Sequence, residues 1–226
     1  MRRQRHRGDD TVALAVHSQP QEDKPLGAFP SASAQQNKRY SIRPANPTPM
    51  RIISGKYKGR HFDVPRNFKA RPTTDFAKEN LFNILLNYID FEETTAVDIF
   101  SGTGSISLEL LSRGCPSVTS VEMDSLHVGH LKKTAAALGD DNWRIIRDDA
   151  FRFIRRCNDS YDFIFADPPY ALKGLSDIPN MILSSNMLKE GGIFVFEHGK
   201  DNDFSEHPAF FRHIAYGSVN FSFFKR

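Results

Sequence analysis

Cysteine is scarce in these 226 residues. Cys115 and Cys157 stand apart, with no Cys-x-x-Cys pair and no histidine cluster beside them. That excludes a disulfide framework and a cysteine-built zinc site, so no metal is expected and a reducing cytoplasm is the expected compartment. Long apolar runs are missing too. Mean hydropathy is −0.46, and no stretch approaches the ~20 residues that span a bilayer. The longest apolar run near the N-terminus, Val12–Val16, falls short of the ~7–15 residues of a signal-peptide core. Neither a membrane-spanning nor a secreted chain is expected.

What is present is ordinary for a globular protein: 39% hydrophobic and 25% charged residues. The length suits one domain, or one domain with an appendage. The net charge of +3 hides a segregation. Residues 50–78 carry eight Lys and Arg against two Asp, whereas residues 79–226 carry 14 basic against 21 acidic side chains. A basic stretch on an acidic body suits a polyanionic partner, with phosphate the commonest candidate.

Residues 1–49 hold six of the thirteen prolines and only two aromatics. No helical or strand period offsets the entropy of ordering, so a disordered extension is expected, with Met50 a candidate true start. A basic RNA-seeking arm of Arg2, Arg3, Arg5 and Arg7 is the functional alternative there. Residues 50–72 read as a small basic β appendage, in which Arg51–Ile53 and His61–Val64 flank the glycine-containing stretch Ser54–Arg60. Thr74 or Asp75 is placed to cap a half-buried helix over Phe76–Tyr88.

From residue 73 to 226 the expectation is an α/β domain. Apolar strands are predicted at Ala96–Phe100, Val118–Glu122, Trp143–Arg147, Tyr161–Ala166 and Gly192–Glu197. The intervening helices lie around residues 104–113, up to about Leu138, 150–157 and 177–188. Apolar strands separated by helices imply a parallel sheet covered on both faces. Phe210–Ala215 and Val219–Phe224, joined by Tyr216-Gly217-Ser218, close the chain as a hairpin. The result is a Rossmann-like, seven-stranded, mostly parallel sheet ending in an antiparallel hairpin, the class I methyltransferase variant of the doubly wound fold.

Asp98-Ile99-Phe100-Ser101-Gly102-Thr103-Gly104 ends the first strand of that sheet and opens a helix. Such a loop lets backbone approach a ligand closely and presents free N–H groups. A nicotinamide site would want Gly or Ala at position 107, where this chain has Ser107. It would also avoid an acid before the glycines, since a pyrophosphate would be repelled. S-adenosylmethionine, with an ammonium and a sulfonium, tolerates Asp98. Glu122 ends the second strand, where an acid binds ribose hydroxyls. Met123 is placed against an adenine face. Asp149 and the Ala150 N–H follow the third strand and suit the adenine edge. The cofactor set is therefore Asp98, Phe100, Gly102, Gly104, Glu122, Met123, Asp149 and Ala150.

Asp167-Pro168-Pro169-Tyr170 directly follows the strand Tyr161–Ala166. Two prolines cannot extend a central strand. They fix the backbone so that the Pro168 carbonyl and the Asp167 side chain present two acceptors to one small space, with the Tyr170 ring beside them. Such a set fits an exocyclic amine on a planar ring, because acceptors on its hydrogens favour a nucleophilic nitrogen and offset developing positive charge.

These segments follow one another in order: Met50 through Gly55, Gly59-Arg60, Arg71-Pro72-Thr73-Thr74-Asp75, Leu81-Phe82-Asn83, Asp98 through Gly104, Val121 through Asp124 and Asp167 through Tyr170. Over essentially residues 50–226 the chain resembles the RsmD family of bacterial 16S ribosomal RNA guanine-N2 methyltransferases. One departure is Phe76, where relatives commonly carry Arg. The resemblance implies S-adenosylmethionine-dependent methylation of one guanine of 16S rRNA in the small ribosomal subunit, by a cytoplasmic enzyme expected to be a monomer. Lys56, Lys58, Arg60, Arg71 and Thr73 are the expected RNA contacts. A DNA adenine-N6 methyltransferase, a protein glutamine methyltransferase and a non-catalytic RNA-binding assembly factor are the alternatives. A DNA enzyme would usually bring a larger DNA-reading domain, and an intact Asp167 weighs against the non-catalytic factor.

Overall fold

The computed structural model describes residues 49–65, 68 and 74–226. The expectations for residues 1–48, and for Arg71, Pro72 and Thr73, lie outside the described residues. The elements run β1 (Met50–Arg51), β2 (His61–Phe62), α1 (Asp75–Leu85), β3 (Thr95–Ile99), α2 (Ser105–Ser112), β4 (Ser117–Glu122), α3 (Ser125–Leu138) and β5 (Trp143–Arg147). They continue with α4 (Ala150–Arg156), β6 (Tyr161–Ala166), α5 (Ile178–Leu183), β7 (Leu188–His198), β8 (Phe210–Tyr216) and β9 (Val219–Lys225).

β3 to β9 form one seven-stranded sheet in the order β5-β4-β3-β6-β7-β9-β8. The first five in sequence are parallel, and β9 runs antiparallel to both its neighbours. The chain winds outward from β3 to β5 and then returns to start the other half at β6. The neighbours β3 and β6 thus flank the switch point, where doubly wound sheets open a crevice at their carboxyl ends.

Strand alternation divides the core. Ala96, Phe163, Phe165, Ile193, Val195, Phe221 and Phe223 face a layer formed by α1, α2 and α3. Val97, Ile164, Phe194, Phe196 and Phe224 face α4 and α5. α2 lies inside the first layer with all eight of its residues buried.

The β1–β2 unit packs against that helix. Met50, Ile52, Phe62 and Val64 join the same apolar layer. The regular strands are shorter than expected because a side chain takes over the backbone. Glu109, fully buried on α2, accepts the Ile53 and Ser54 N–H groups at 2.8 and 3.0 Å, and Arg113 donates to it at 3.0 Å. Gly55 has φ of +82°, and a Cβ there would lie 1.8 Å from the Ser112 carbonyl oxygen, so only glycine fits.

Thr74 caps α1 by accepting from Ala77 N. The helix ends at Leu85, short of Tyr88. Its Lys78, 1% exposed, donates to the Arg51 carbonyl at 2.6 Å and to Ser105 Oγ at 3.0 Å, and burial lowers its pKa. α5 is also shorter than expected. Ser184 and Ser185 hydroxyls turn back onto the Asn180 and Ile182 carbonyls, which ends the helix before β7 begins at Leu188.

Candidate active site

Two loops meet at the β3/β6 switch point. The first leaves β3 at Phe100, a non-glycine residue with φ of +65°. That left-handed conformation costs roughly 1–2 kcal/mol, which the packing around it sustains. Gly102 and Gly104 follow with φ of +51° and +80°. A Cβ on Gly104 would stand 2.6 Å from Leu131 Cδ2 and 3.1 Å from Trp143 Cζ2, so this glycine lets α2 start tight against α3 and β5.

Asp98 is 2% exposed. Its Oδ2 accepts from Ser107 N at 3.2 Å and Ser107 Oγ at 2.6 Å. Ser107 meets Ser120, which accepts from Trp143 Nε1 at 2.8 Å. One carboxylate oxygen therefore braces the loop. Burial pushes the Asp98 pKa up to about 7 despite the Ser107 bonds.

Glu122, at the end of β4, accepts from Gly102 N at 2.9 Å and from Asp124 N at 2.8 Å. Met123 beside it is 63% exposed, as a face for an aromatic ring requires. After β5, Asp149 caps α4 by accepting from Arg152 N at 2.9 Å, and Ala150 opens that helix. Asp149 thus has a structural role in addition to any contact with a ligand. Glu122, Met123 and Asp149 follow the ends of adjacent parallel strands, alongside the glycine loop. The donor set fits a nucleoside with a cationic tail: acids for hydroxyls and ammonium, an open apolar face, and a close-approach backbone.

The second loop is Asp167–Tyr170. Asp167 N donates to the Ile99 carbonyl at 3.3 Å, tying it to β3. The prolines divert the chain away from the sheet, and Tyr170 is 46% exposed. A Cβ on Gly199 would stand 3.2 Å from Tyr170 Cδ2, so the ring rests on bare backbone. The Tyr170 hydroxyl donates to Glu197 Oε1 at 3.3 Å.

Glu197 is a residue that the sequence reading missed. It ends the apolar run Ile193–Phe196 on β7, the strand beside β6, and is 4% exposed. An acid closing such a run, one strand from Asp-Pro-Pro-Tyr, was the available signal. Burial pushes its pKa up to about 7, against the Tyr170 bond. Burial, then the charges of Glu197 and Asp98, raise Asp167 well above the ordinary carboxylate range. Among the described residues no Lys, Arg or His forms an ion pair with Asp98, Asp167 or Glu197. The mouth is thus acidic and suited to a cationic ligand. No group of three or more potential metal ligands is found among the described residues.

The described part of the basic stretch lies away from these two loops. Lys56 N donates to the Ser112 carbonyl at the C-terminal end of α2. Lys56 Nζ pairs with Asp140 at 2.9 Å, and that bond raises its pKa. Arg60 donates to the Ala137 and Leu138 carbonyls at 2.7 and 3.4 Å, capping α3. Helices that follow parallel strands start at the catalytic edge and run back, so Lys56, Lys58 and Arg60 sit at the opposite end of α2 from the glycine loop. Lys56 and Arg60 are held by intramolecular partners. Lys58 is exposed, without an ion pair among the described residues.

The fold and these two loops define a class I methyltransferase, with the glycine loop and Glu122 on one side of the switch point and Asp-Pro-Pro-Tyr on the other. A family profile described as Conserved hypothetical protein 95 matches residues 50–225. The chain belongs to that family, the RsmD family.

It is 33% identical over 150 residues to ribosomal RNA small subunit methyltransferase D of Buchnera aphidicola, covering 66% of this chain and 76% of the relative. It is 32% identical over 160 residues to the Escherichia coli K12 protein of the same name, covering 71% and 80%. Among solved structures, a putative methyltransferase, yhhF, from Escherichia coli superposes with a TM-score of 0.71 at 30% identity. That match covers 79% of this chain and 98% of the other. No helix among the described residues is long and apolar enough to cross a membrane.

Proposed function

We propose that this protein is an S-adenosylmethionine-dependent methyltransferase of small-subunit ribosomal RNA, and that its target is the exocyclic N2 amine of one guanine. The observation that carries the reading is the Asp167–Tyr170 loop beside the glycine loop, in a mouth where Asp98, Asp167 and Glu197 form no ion pair among the described residues. The names of the family relatives supply the substrate class, ribosomal RNA of the small subunit.

In this reading Glu122 would hold the ribose hydroxyls, Met123 the adenine face, and Asp149 with the Ala150 N–H the adenine edge. Asp98 would attract the ammonium end, and Phe100, Gly102 and Gly104 would shape the loop around the nucleoside. The cofactor supplies an electrophilic methyl group on a sulfonium. Asp167 and the Pro168 carbonyl accept the two amine hydrogens, which raises electron density on nitrogen and offsets its developing charge. Pro169 fixes the turn, and Tyr170 stacks on the base, a contact worth about 1–3 kcal/mol. The base must leave its helix or loop stack to reach them. Lys56, Lys58 and Arg60 contact flanking RNA at the far end of α2, and Arg71 and Thr73 are further RNA contacts. We further place the enzyme in the cytoplasm as a monomer acting on the small subunit.

The test is methyl transfer from labelled cofactor to total RNA, free 30S particles and DNA from a strain lacking the gene, followed by nucleoside analysis. The expected product is N2-methylguanosine in 16S rRNA. Label in DNA, or in another nucleoside, would overturn the reading.

A further inference from the structure

The strand register gives Glu197 a specific relation to Asp167. Ala166 of β6 pairs with Phe196 of β7, so the next residues, Asp167 and Glu197, are lateral neighbours at the carboxyl ends of adjacent parallel strands. Alternation puts both on one face. Phe163 and Phe165 precede Asp167 in the α1–α3 layer, as Ile193 and Val195 precede Glu197. Asp98, paired with Phe165 across β3 and β6, faces the same side.

One oxygen of Glu197 takes the Tyr170 hydroxyl, while Oε2 is buried and has no hydrogen-bond partner. A buried carboxylate oxygen without a donor is costly as an anion. Its cost falls when the group holds a proton, and a second carboxylate alongside is a natural partner for sharing one.

We propose that Glu197 is the positioning residue of Asp167: the two carboxylates hold one proton between them in the free protein, and Glu197 takes it over when the target amine donates to Asp167. The inference rests on the reading of Asp167 as the amine acceptor. The ionised Asp167 then receives the proton that the methylated nitrogen must lose. That N–H bond breaks, its electron pair stays on nitrogen, and the proton moves to an Asp167 oxygen. Both carboxyls are then protonated, and one proton passes to water before the next cycle. The groups facing the pair are Asp98 from β3, Tyr170 from the loop after β6, and apolar Phe221 opposite Glu197 on β9. Their arrangement makes Asp167 a stronger base and hydrogen-bond acceptor than a solvated aspartate.

The test compares wild type with Glu197→Gln, Glu197→Asp and Tyr170→Phe in two measurements. In 13C NMR titration of protein labelled at Asp and Glu carboxyls, without cofactor or RNA, wild type should show two coupled steps. Glu197→Gln should leave one step, with Asp167 titrating about one unit or more lower. In single-turnover methylation of 30S particles, Glu197→Gln should move the acidic limb of the rate to lower pH. It should also lower the plateau by roughly 10²-fold, with little change in KM. Glu197→Asp should keep the coupled steps and most of the limb.

An Asp167 titration or an acidic limb unchanged in Glu197→Gln would overturn the proposal. So would a Tyr170→Phe profile identical to that of Glu197→Gln, because Glu197 would then serve only to hold the ring. Failure of wild type to make N2-methylguanosine would instead sink the functional reading, and the NMR titration would still report on the pair.

Discussion

Glu122 and Gly102, twenty residues apart, meet at 2.9 Å, the carboxylate accepting the backbone N–H of the glycine loop. The residue proposed to hold the ribose therefore also fixes the loop that surrounds it. Glu122→Ala should weaken binding of S-adenosylhomocysteine by about 1.5–3 kcal/mol, the loss expected for charge-assisted hydrogen bonds. Calorimetry reads this directly, and an unchanged affinity would remove Glu122 from the site.

Asp167→Ala should behave differently. It removes an acceptor needed as charge develops on the amine, so the methylation rate should fall by about 10²–10³ while cofactor affinity stays near that of wild type. A variant that turned over normally would end the role assigned to Asp167.

Asp98 predicts a pH dependence of stability. Its carboxyl titrates near 3.8 when exposed and at about 7 in the fold. Between these values the unfolded chain has lost the proton and the folded chain keeps it. The contribution of Asp98 is therefore full below pH 4, falls as pH rises to about 7, and is constant above. Glu197, raised to about 7 as well, acts in the same window. Asp98→Asn keeps an acceptor for Ser107 and should flatten part of that slope. Urea midpoints measured from pH 4 to 8 check it; equal slopes in variant and wild type would contradict the buried carboxyl.

Lys58 and Lys56 should separate in salt. If Lys58 contacts an RNA phosphate, Lys58→Ala should reduce the slope of log affinity against log salt by about 1. Lys56, held by Asp140, should contribute less. Neither change should alter which nucleotide is methylated. Filter binding of 30S particles across salt is the measurement, and an unaltered slope for Lys58→Ala would return it to a solvated face.

The parts of the molecule that were legible in the sequence are those written locally. Apolar runs such as Phe163–Ala166 announce a buried parallel strand, and the seven-stranded sheet with its terminal hairpin follows from their order. Gly104 and the Asp167–Tyr170 turn are constrained by their own backbone, so their motifs can be read in isolation. Lys78 and Glu109 could not be read this way. Each is a charged residue in an ordinary setting, and only long-range packing buries it against Arg51 or Ile53. Glu197 closes a local apolar run, but its contact with Tyr170 exists only in the fold. Lys56 and Arg60 show the same limit. A count of charges has no direction, and it did not reveal that the turn docks on the far ends of α2 and α3. The spacing of Asp149 suits both an adenine contact and a helix N-cap, and the structure shows the cap.

The complete burial of α2 has a consequence for how the molecule could be shortened or rebuilt. Cutting the chain ahead of α1 would strip from α2 the backbone partners of its inward polar side chains Glu109 and Ser112, which bond residues 53, 54 and 57. Glu109 would keep only Arg113 as a partner, and the Lys78 ammonium would lose the carbonyl it rests on. The glycine loop begins that helix, so its shape depends on residues that never approach the ligand. The basic turn and the cofactor loop are thus two ends of one rod, and neither can be transplanted without the other.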